Sequence, residues 1–226
     1  MTFSLTARCP ETGMFGMVIS SSSPAVAARC VHLRAKAGAV ASQNVTDPAL
    51  GQIGLDLLAR GLGAHEVCAA LVASTPFMAY RQLALVDAFG RVASYSGSNT
   101  LGIHAVHSGE GVIAAGNLLS SDQVPAAMVR SYQDNAGKPF ATRLVAALRA
   151  GLDQGGEAGP VHSAGLCVVR EVSWAIVDLR VDWSDRPIAA LEEVWAAYEP
   201  QVEDYVRRAR NPSAAPGFGV PGDSRV

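Results

Sequence analysis

The chain has 226 residues, 49% hydrophobic and 17% charged, enough to bury one sizeable core, so a single domain is the simplest count. Its formal net charge is -2, and its densest basic cluster is Arg207-Arg208-Ala209-Arg210; this argues against a nucleic-acid partner, because phosphate binding needs a basic face. No apolar run reaches the roughly 18 residues of a membrane span, and no basic segment followed by an apolar one opens the chain, so neither span nor signal peptide is expected and a cytoplasmic protein follows.

Residues 3–8 and 14–20 read as two strands joined by Cys9-Pro10-Glu11-Thr12-Gly13, a connection with hairpin chemistry. Residues 38–44 (Gly-Ala-Val-Ala-Ser-Gln-Asn) read as a buried strand whose small side chains allow close packing against another layer. A helix then starts with Asp47 as N-cap and Pro48 at its first position. Leu50, Ile53, Leu57 and Leu58 form its apolar stripe, and Gly61 ends it. A second helix, about 64–73, turns Val67, Leu71 and Val72 inward. Strands follow at 81–87 and 91–96 around Asp87-Ala88-Phe89-Gly90, then at 103–107 and 111–116 around Ser108-Gly109-Glu110-Gly111. Helices are expected at about 121–134 and 138–151, and a Gly-rich loop, 155–160, leads into strands 162–169 and 174–181. A last helix, about 187–209, carries Leu191, Val194, Trp195, Tyr198, Val202 and Tyr205 at helical spacing. These boundaries make 1–209 one domain and 210–226 a Pro- and Gly-rich tail, expected on the surface or against a neighbouring subunit.

Strands come in hairpin pairs and helix pairs are inserted between them, so the sheets should be largely antiparallel. Two sheets stacked face to face with helices outside bury this α+β pattern as a four-layer αββα sandwich; an ordinary two-layer α+β fold is the alternative. The four cysteines, Cys9, Cys30, Cys68 and Cys167, form no CxxC pair and sit among apolar neighbours, which reads as buried free thiols.

Thr2 follows the initiator methionine directly and precedes a strand. Methionine is commonly trimmed before a small residue. Thr2 would then carry a hydroxyl and a free α-amine on one atom framework. An amine that titrates near about 8 can serve as base for a hydroxyl that is otherwise almost inert.

Several segments together carry a resemblance: Thr2-Phe3-Ser4; the Gly38–Gln43 strand with Asp47-Pro48 and Gly51; Gly54-Leu55-Asp56-Leu57-Leu58 with Gly61; and Arg81-Gln82-Leu83 with Asp87 and Gly90. Further on come Ser96-Gly97, Gly116-Asn117-Leu118-Leu119, Ser163-Ala164 with Leu166, and Asp178-Leu179-Arg180-Val181-Asp182. In this order, over about residues 2–200, they resemble the DUF1028 family, a group of bacterial proteins placed with the N-terminal-nucleophile hydrolases. The resemblance implies the αββα fold and a threonine nucleophile at Thr2, and it implies no substrate. Many members have a basic, Arg-containing segment before the Ser-Ala strand, where this chain has Gly155–His162 with an acid and a histidine, so selectivity is expected to differ. Some relatives carry an extra C-terminal domain suspected of binding peptidoglycan; this chain has only a short tail, and no cell-wall role is carried over.

A site of that kind needs a nucleophile, an amine base, a group that tunes the amine, and an oxyanion hole. Arg29, His32, Arg34 and Lys36 fall in the region for the tuner, with Arg29 preferred; Lys36 lies too close to the first helix. Asn117, following Gly116, is the side-chain candidate for the oxyanion hole, or else an Asn in a tight turn. The amides near Asn44 and Val45 are a second donor source. Gln43 and Asn44 either contact substrate or cap the helix, and Ser21 and Ser22, within Ser20-Ser21-Ser22-Ser23-Pro24, line the pocket or form a polar loop.

No metal or cofactor is expected. His104 and His107 point to opposite faces of an apparent strand, Asp178, Arg180 and Asp182 make a salt-bridge cluster, and the Gly155–Gly159 loop lacks the Gly-Lys-Ser/Thr ending of a phosphate loop. The aromatic stripe of the last helix is core or an oligomer interface, which suggests a homodimer. The function that follows is an amidohydrolase cleaving a small amide through a Thr2 acyl-enzyme. The alternatives are a non-catalytic binding or scaffolding protein with the same fold and a metal-dependent hydrolase using His104 or His107.

Overall fold

The structure is a computed structural model and describes residues 2–223. Strands β1 (Thr2–Arg8) and β2 (Phe15–Ser21) form the first hairpin. A short helix α1 (Val26–Cys30) and strand β3 (Val31–Arg34) follow, and β4 (Gly38–Asn44) pairs with β3. Helices α2 (Pro48–Ala59) and α3 (Ala64–Ala73) precede the hairpin β5 (Arg81–Asp87) and β6 (Val92–Ser96). The hairpin β7 (Ala105–Gly109) and β8 (Val112–Asn117) leads to helices α4 (Val124–Asp134) and α5 (Phe140–Asp153). Strands β9 (Ser163–Val169) and β10 (Ala175–Val181) and helices α6 (Pro187–Tyr198) and α7 (Val202–Arg210) complete the order.

The strands form a six-stranded sheet, β10-β9-β2-β1-β8-β7, and a four-stranded sheet, β3-β4-β5-β6, with every neighbouring pair antiparallel. Helices α4, α5 and α6 cover the outer face of the larger sheet, α2 and α3 cover the smaller one, and the two sheets pack on each other through β1, β2 and β8 against β4 and β5. This is the αββα sandwich, and the two-layer alternative does not apply.

The period-two alternation of each strand explains the three core layers. Phe3, Leu5 and Val18 face α4–α6 with Met128, Leu144 and Leu148. Val40, Leu83 and Leu85 face α2 and α3 with Leu50, Leu58 and Leu71. Between the sheets lie Phe15, Met17, Ile113 and Val86 with Ala39, Ala41, Ala84 and Ala115, so the small residues of β4 let the layers approach closely.

Three expectations change, and one segment has none to change. The segment α1–β3 carries no sequence expectation, because five and four residues are too short for periodicity to register. Ile53 is exposed rather than part of the α2 stripe; the buried face is Leu50, Gly51, Gly54, Leu55 and Leu58. Glycines occupy it because a Cβ at Gly51 would lie 2.0 Å from the His32 ring. His104 precedes β7 instead of lying on it. The last helix breaks at Glu199–Gln201, where Pro200 interrupts the helical hydrogen bonding. Trp195 and Val202 are core, whereas Val194 and Tyr205 are exposed.

All four cysteines are free thiols, with Cys167 only partly covered. Part of the tail is pinned: the Arg208 guanidinium donates to the Gly217 carbonyl at 3.0 Å and lies 3.9 Å from the centre of the Phe218 ring. The tail expectation extends over 224–226, and methionine trimming concerns Met1; both lie outside the described residues. Among the described residues no helix is long and apolar enough to cross a membrane.

Candidate functional site

β1 is central in its sheet, so Thr2 has a strand on each side. It pairs with Asn117 at the end of β8. On the other side the register Phe3–Ser20 brings Ser21, the last residue of β2, opposite it. Phe3, Leu5 and Ala7 face the helices, so Thr2, Ser4 and Thr6 face the other sheet. By the same alternation Gln43 and Gln82 continue the faces of Ala39/Ala41 and Ala84/Val86.

The result is a polar end to an otherwise apolar layer. Ser4 Oγ donates to Gln43 Oε1 at 2.8 Å, and Gln43 Nε2 donates to Gln82 Oε1 at 2.8 Å. Asn117 Nδ2 donates to the same Gln82 oxygen at 3.1 Å. Gln82 Nε2 donates to the Gly116 carbonyl and to Ser96 Oγ, each at 3.1 Å. A backbone carbonyl can only accept, so the Gly116 contact fixes which end of Gln82 is nitrogen. That choice makes Gln43 and Asn117 donors in turn and orients all three amides. Gln43, Gln82 and Asn117 have no solvent exposure. Asn117 Oδ1 is buried without a hydrogen-bond partner among the described residues.

The serine run folds back on itself at the β2 end. Ser21 Oγ lies 2.8 Å from Ser23 Oγ and accepts from Ser23 N–H at 3.1 Å. Ser163 Oγ donates to the Ser23 carbonyl at 2.6 Å. Ser22 N–H lies 3.1 and 3.2 Å from the two carboxylate oxygens of Glu157. Glu157 is 4% exposed, and burial, the largest cause, pushes its carboxyl up to about 7 against the hydrogen bonds from Ser22. Thr2 is likewise 4% exposed.

Thus Thr2, Asn117, Gln43, Ser21 and, through Glu157, Ser22 come together. Arg29 binds its own loop: its guanidinium donates to the carbonyls of Pro24 and Ala25 at 2.6 and 3.2 Å and to Ser23 Oγ at 3.1 Å. Asn44, at φ 72°, is a staple; its Nδ2 donates to the Tyr80 carbonyl at 2.6 Å and its Oδ1 accepts from Leu101 N–H at 3.2 Å. It does not cap α2, because Asp47 does so through Ala49 N–H at 3.0 Å. His32 is buried, which lowers its pKa; its Nε2–H donates to the Arg29 carbonyl at 3.2 Å and its Nδ1 accepts from Gln52 at 3.3 Å. Arg34 pairs with Asp56 at 2.9 Å and Lys36 occupies a turn at φ 65°. Arg180 grips Asp178 with two bonds of 2.9 and 2.7 Å. Among the described residues no three His, Cys, Asp or Glu side chains are grouped to hold a metal ion.

Sequence reasoning missed two residues. Gln82 entered only inside a family motif, although a Gln on the same face as Ala84 and Val86 is a legible polar intrusion. Glu157 reads from the sequence only as an acid in a Gly-rich loop, and nothing local says that it is buried. A cleft of about 600 Å³ lies elsewhere, lined by His32, Arg34, Lys36, Trp174, Asp178 and Arg180, and does not include Thr2.

Residues 2–191 match the model of a family described as "Family of unknown function (DUF1028)". The chain belongs to this family. Among solved structures, it is similar to a DUF1028 protein of Silicibacter pomeroyi at 30% identity and a TM-score of 0.83, covering 92% of this chain and 94% of that one. Two structures of Anbu (ancestral beta-subunit) are also similar. The protein from Yersinia bercovieri is 12% identical with a TM-score of 0.41, covering 91% of this chain and 97% of that one. A Gly-1 mutant from Hyphomicrobium sp. strain MC1 is 9% identical with the same TM-score, covering 92% and 100%. No curated protein matches the chain. The DUF1028 relationship therefore covers the polar end of the sandwich and both sheets that build it.

Proposed function

We propose that this DUF1028 protein is an N-terminal-nucleophile amidohydrolase acting on a small amide. The observation that carries the reading is the placement of Thr2: first residue of a central strand, side chain turned into the inter-sheet layer, paired with Asn117. After methionine removal the Thr2 amine takes the hydroxyl proton, the oxygen attacks the amide carbon, and the tetrahedral oxyanion forms. Collapse expels the amine product, which leaves with a proton, and water then releases the acid from the acyl-enzyme. Asn117 Nδ2 has one N–H left after Gln82 for the oxyanion, held in a preset orientation by the amide network. The reading takes the substrate as a small molecule, with no cofactor, nucleic acid or membrane partner, in a cytoplasmic homodimer.

The test is intact mass of the untagged protein followed by a screen of small amides. The mass should lack Met1, and Thr2→Ala should lower hydrolysis by about 10³-fold or more. A retained Met1, or full activity in Thr2→Ala, would refute it. A second reading, a non-catalytic binding protein, draws on the deep burial of Thr2 and the separate 600 Å³ cleft. It predicts ligand binding at that cleft without turnover.

A further inference from the structure

Glu157 sits on a segment that spans the end of β1. The chain leaves α5 through Gly155 and Gly156, at φ 114° and 57°, with Gly156 over the Phe3 ring. On the β8 side, Ala158 N–H donates to the Leu118 carbonyl at 2.9 Å and Glu157 bridges Leu119. On the β2 side, the Glu157 carboxylate takes Ser22 N–H, and His162 N–H donates to the Ser21 carbonyl at 2.8 Å. β1 lies between these two strands, so the segment crosses directly over the position where Thr2 begins.

A buried carboxylate needs a positive partner, since N–H groups alone offset only part of its lost hydration. Among the described residues no Lys, Arg or His forms an ion pair with Glu157. Residues 18–25 and 113–121, which bring the neighbouring strand ends, contain no ionisable side chain. Asp153 and His162, the nearest charged or titratable residues along its own segment, do not enter the balance at Glu157, where burial is the largest effect.

We infer that Glu157 is the counter-charge of the Thr2 α-amino group, a positioning residue that anchors the freed amine beside Asn117 and takes its surplus proton. This rests on the hydrolase reading and deepens it. The transfer is –COO⁻ plus –NH₃⁺ giving –COOH plus –NH₂. The neutral amine then accepts the Thr2 hydroxyl proton as the oxygen bonds to the substrate carbonyl. Burial raises the carboxyl toward the range in which an α-amine ordinarily titrates, about 8, and so brings the two proton affinities together.

The experiment titrates both groups by NMR in the full chain prepared with Thr2 as its first residue. In Glu157→Gln the Thr2 amine should titrate about one pH unit or more below wild type, a tenfold change in proton affinity, and Glu157→Asp should restore most of the shift. An unchanged amine in a folded Glu157→Gln overturns the inference. Should that variant not fold, the wild-type chain still decides. Its Glu157 carboxyl should titrate about one unit lower with a free Thr2 amine than after acetylation of that amine. An equal value in the two forms overturns the inference. Neither titration uses turnover, so a failed pairing is distinguished from a failed hydrolase reading, which shows as undiminished amide hydrolysis in Thr2→Ala.

Discussion

Gln82→Leu tests whether the amide network is a mechanical unit. The side chain accepts from Gln43 and Asn117 and donates to the Gly116 carbonyl and Ser96. Leucine fills a similar volume but makes none of these bonds. Ser96 is half-buried and can turn to water, and Gly116 is paired on both sides in its sheet, whereas Gln43 Nε2 and Asn117 Nδ2 belong to fully buried side chains. Stranding a buried polar group costs about 1–3 kcal/mol, so two give about 2–5 kcal/mol after partial relaxation. Urea denaturation of the variant against wild type measures it. The double variant Gln43→Leu/Gln82→Leu should cost less than the sum of the singles by about 0.5–3 kcal/mol, because Gln82→Leu already strands Gln43. A loss under about 1 kcal/mol, or strict additivity, would refute the network and with it the preset orientation of Asn117.

Gly51→Ala should destabilise by about 1–3 kcal/mol in thermal unfolding, because its Cβ would meet the His32 ring at 2.0 Å. The sign is informative, since the same change in an open helix stabilises by about 1 kcal/mol. Asp87 supplies a pH dependence. Burial opposes its ionisation, but hydrogen bonds from Ala64, Phe89 and Arg91 outweigh burial and hold its pKa below the ordinary 3.8. A depressed carboxyl contributes stability above the unfolded value, which is lost as pH falls below 3.8 toward the folded one. Asp87→Asn should therefore cost about 2–3 kcal/mol at neutral pH and progressively less on acidification, as read from denaturant midpoints at several pH values. A cost independent of pH would show that the charge contributes nothing.

The sequence shows the sandwich well because its strands announce themselves locally. Cys9–Gly13 closes the first hairpin, Asp47-Pro48 starts α2, and Gly38–Asn44 signals a close inter-sheet contact by its small side chains. Pro200 was equally legible as a break, and the aromatic periodicity on either side of it concealed the signal. The site is harder for a physical reason. Ser4, Gln43, Gln82 and Asn117 are each one polar residue near a strand end, and Gln43 lies 39 residues from both Ser4 and Gln82. Their meeting depends on β4 and β5 stacking over β1 and β8, which no local pattern encodes. Glu157 is further still, 135 residues from the Ser22 amide it accepts from.

What the inter-sheet layer spends its polar groups on also bears on function. Along most of its length it is filled by Ala, Val, Ile, Met and Phe, with the Thr6 hydroxyl as an isolated buried polar group among them. At the Thr2 end the same strands switch to Ser4, Gln43, Gln82 and Asn117, every one buried. A buried polar network gives little stability over apolar packing of the same volume, and a partly satisfied one gives less. Asn117 Oδ1 is the partly satisfied member, and it faces the layer beside the residue proposed as nucleophile. Stability alone would replace this cluster with leucine and alanine. A site that must hold an amine, a hydroxyl and a developing oxyanion in fixed relation would build it as found: rigid amides on central strands, oriented by one backbone carbonyl, with an acceptor left over.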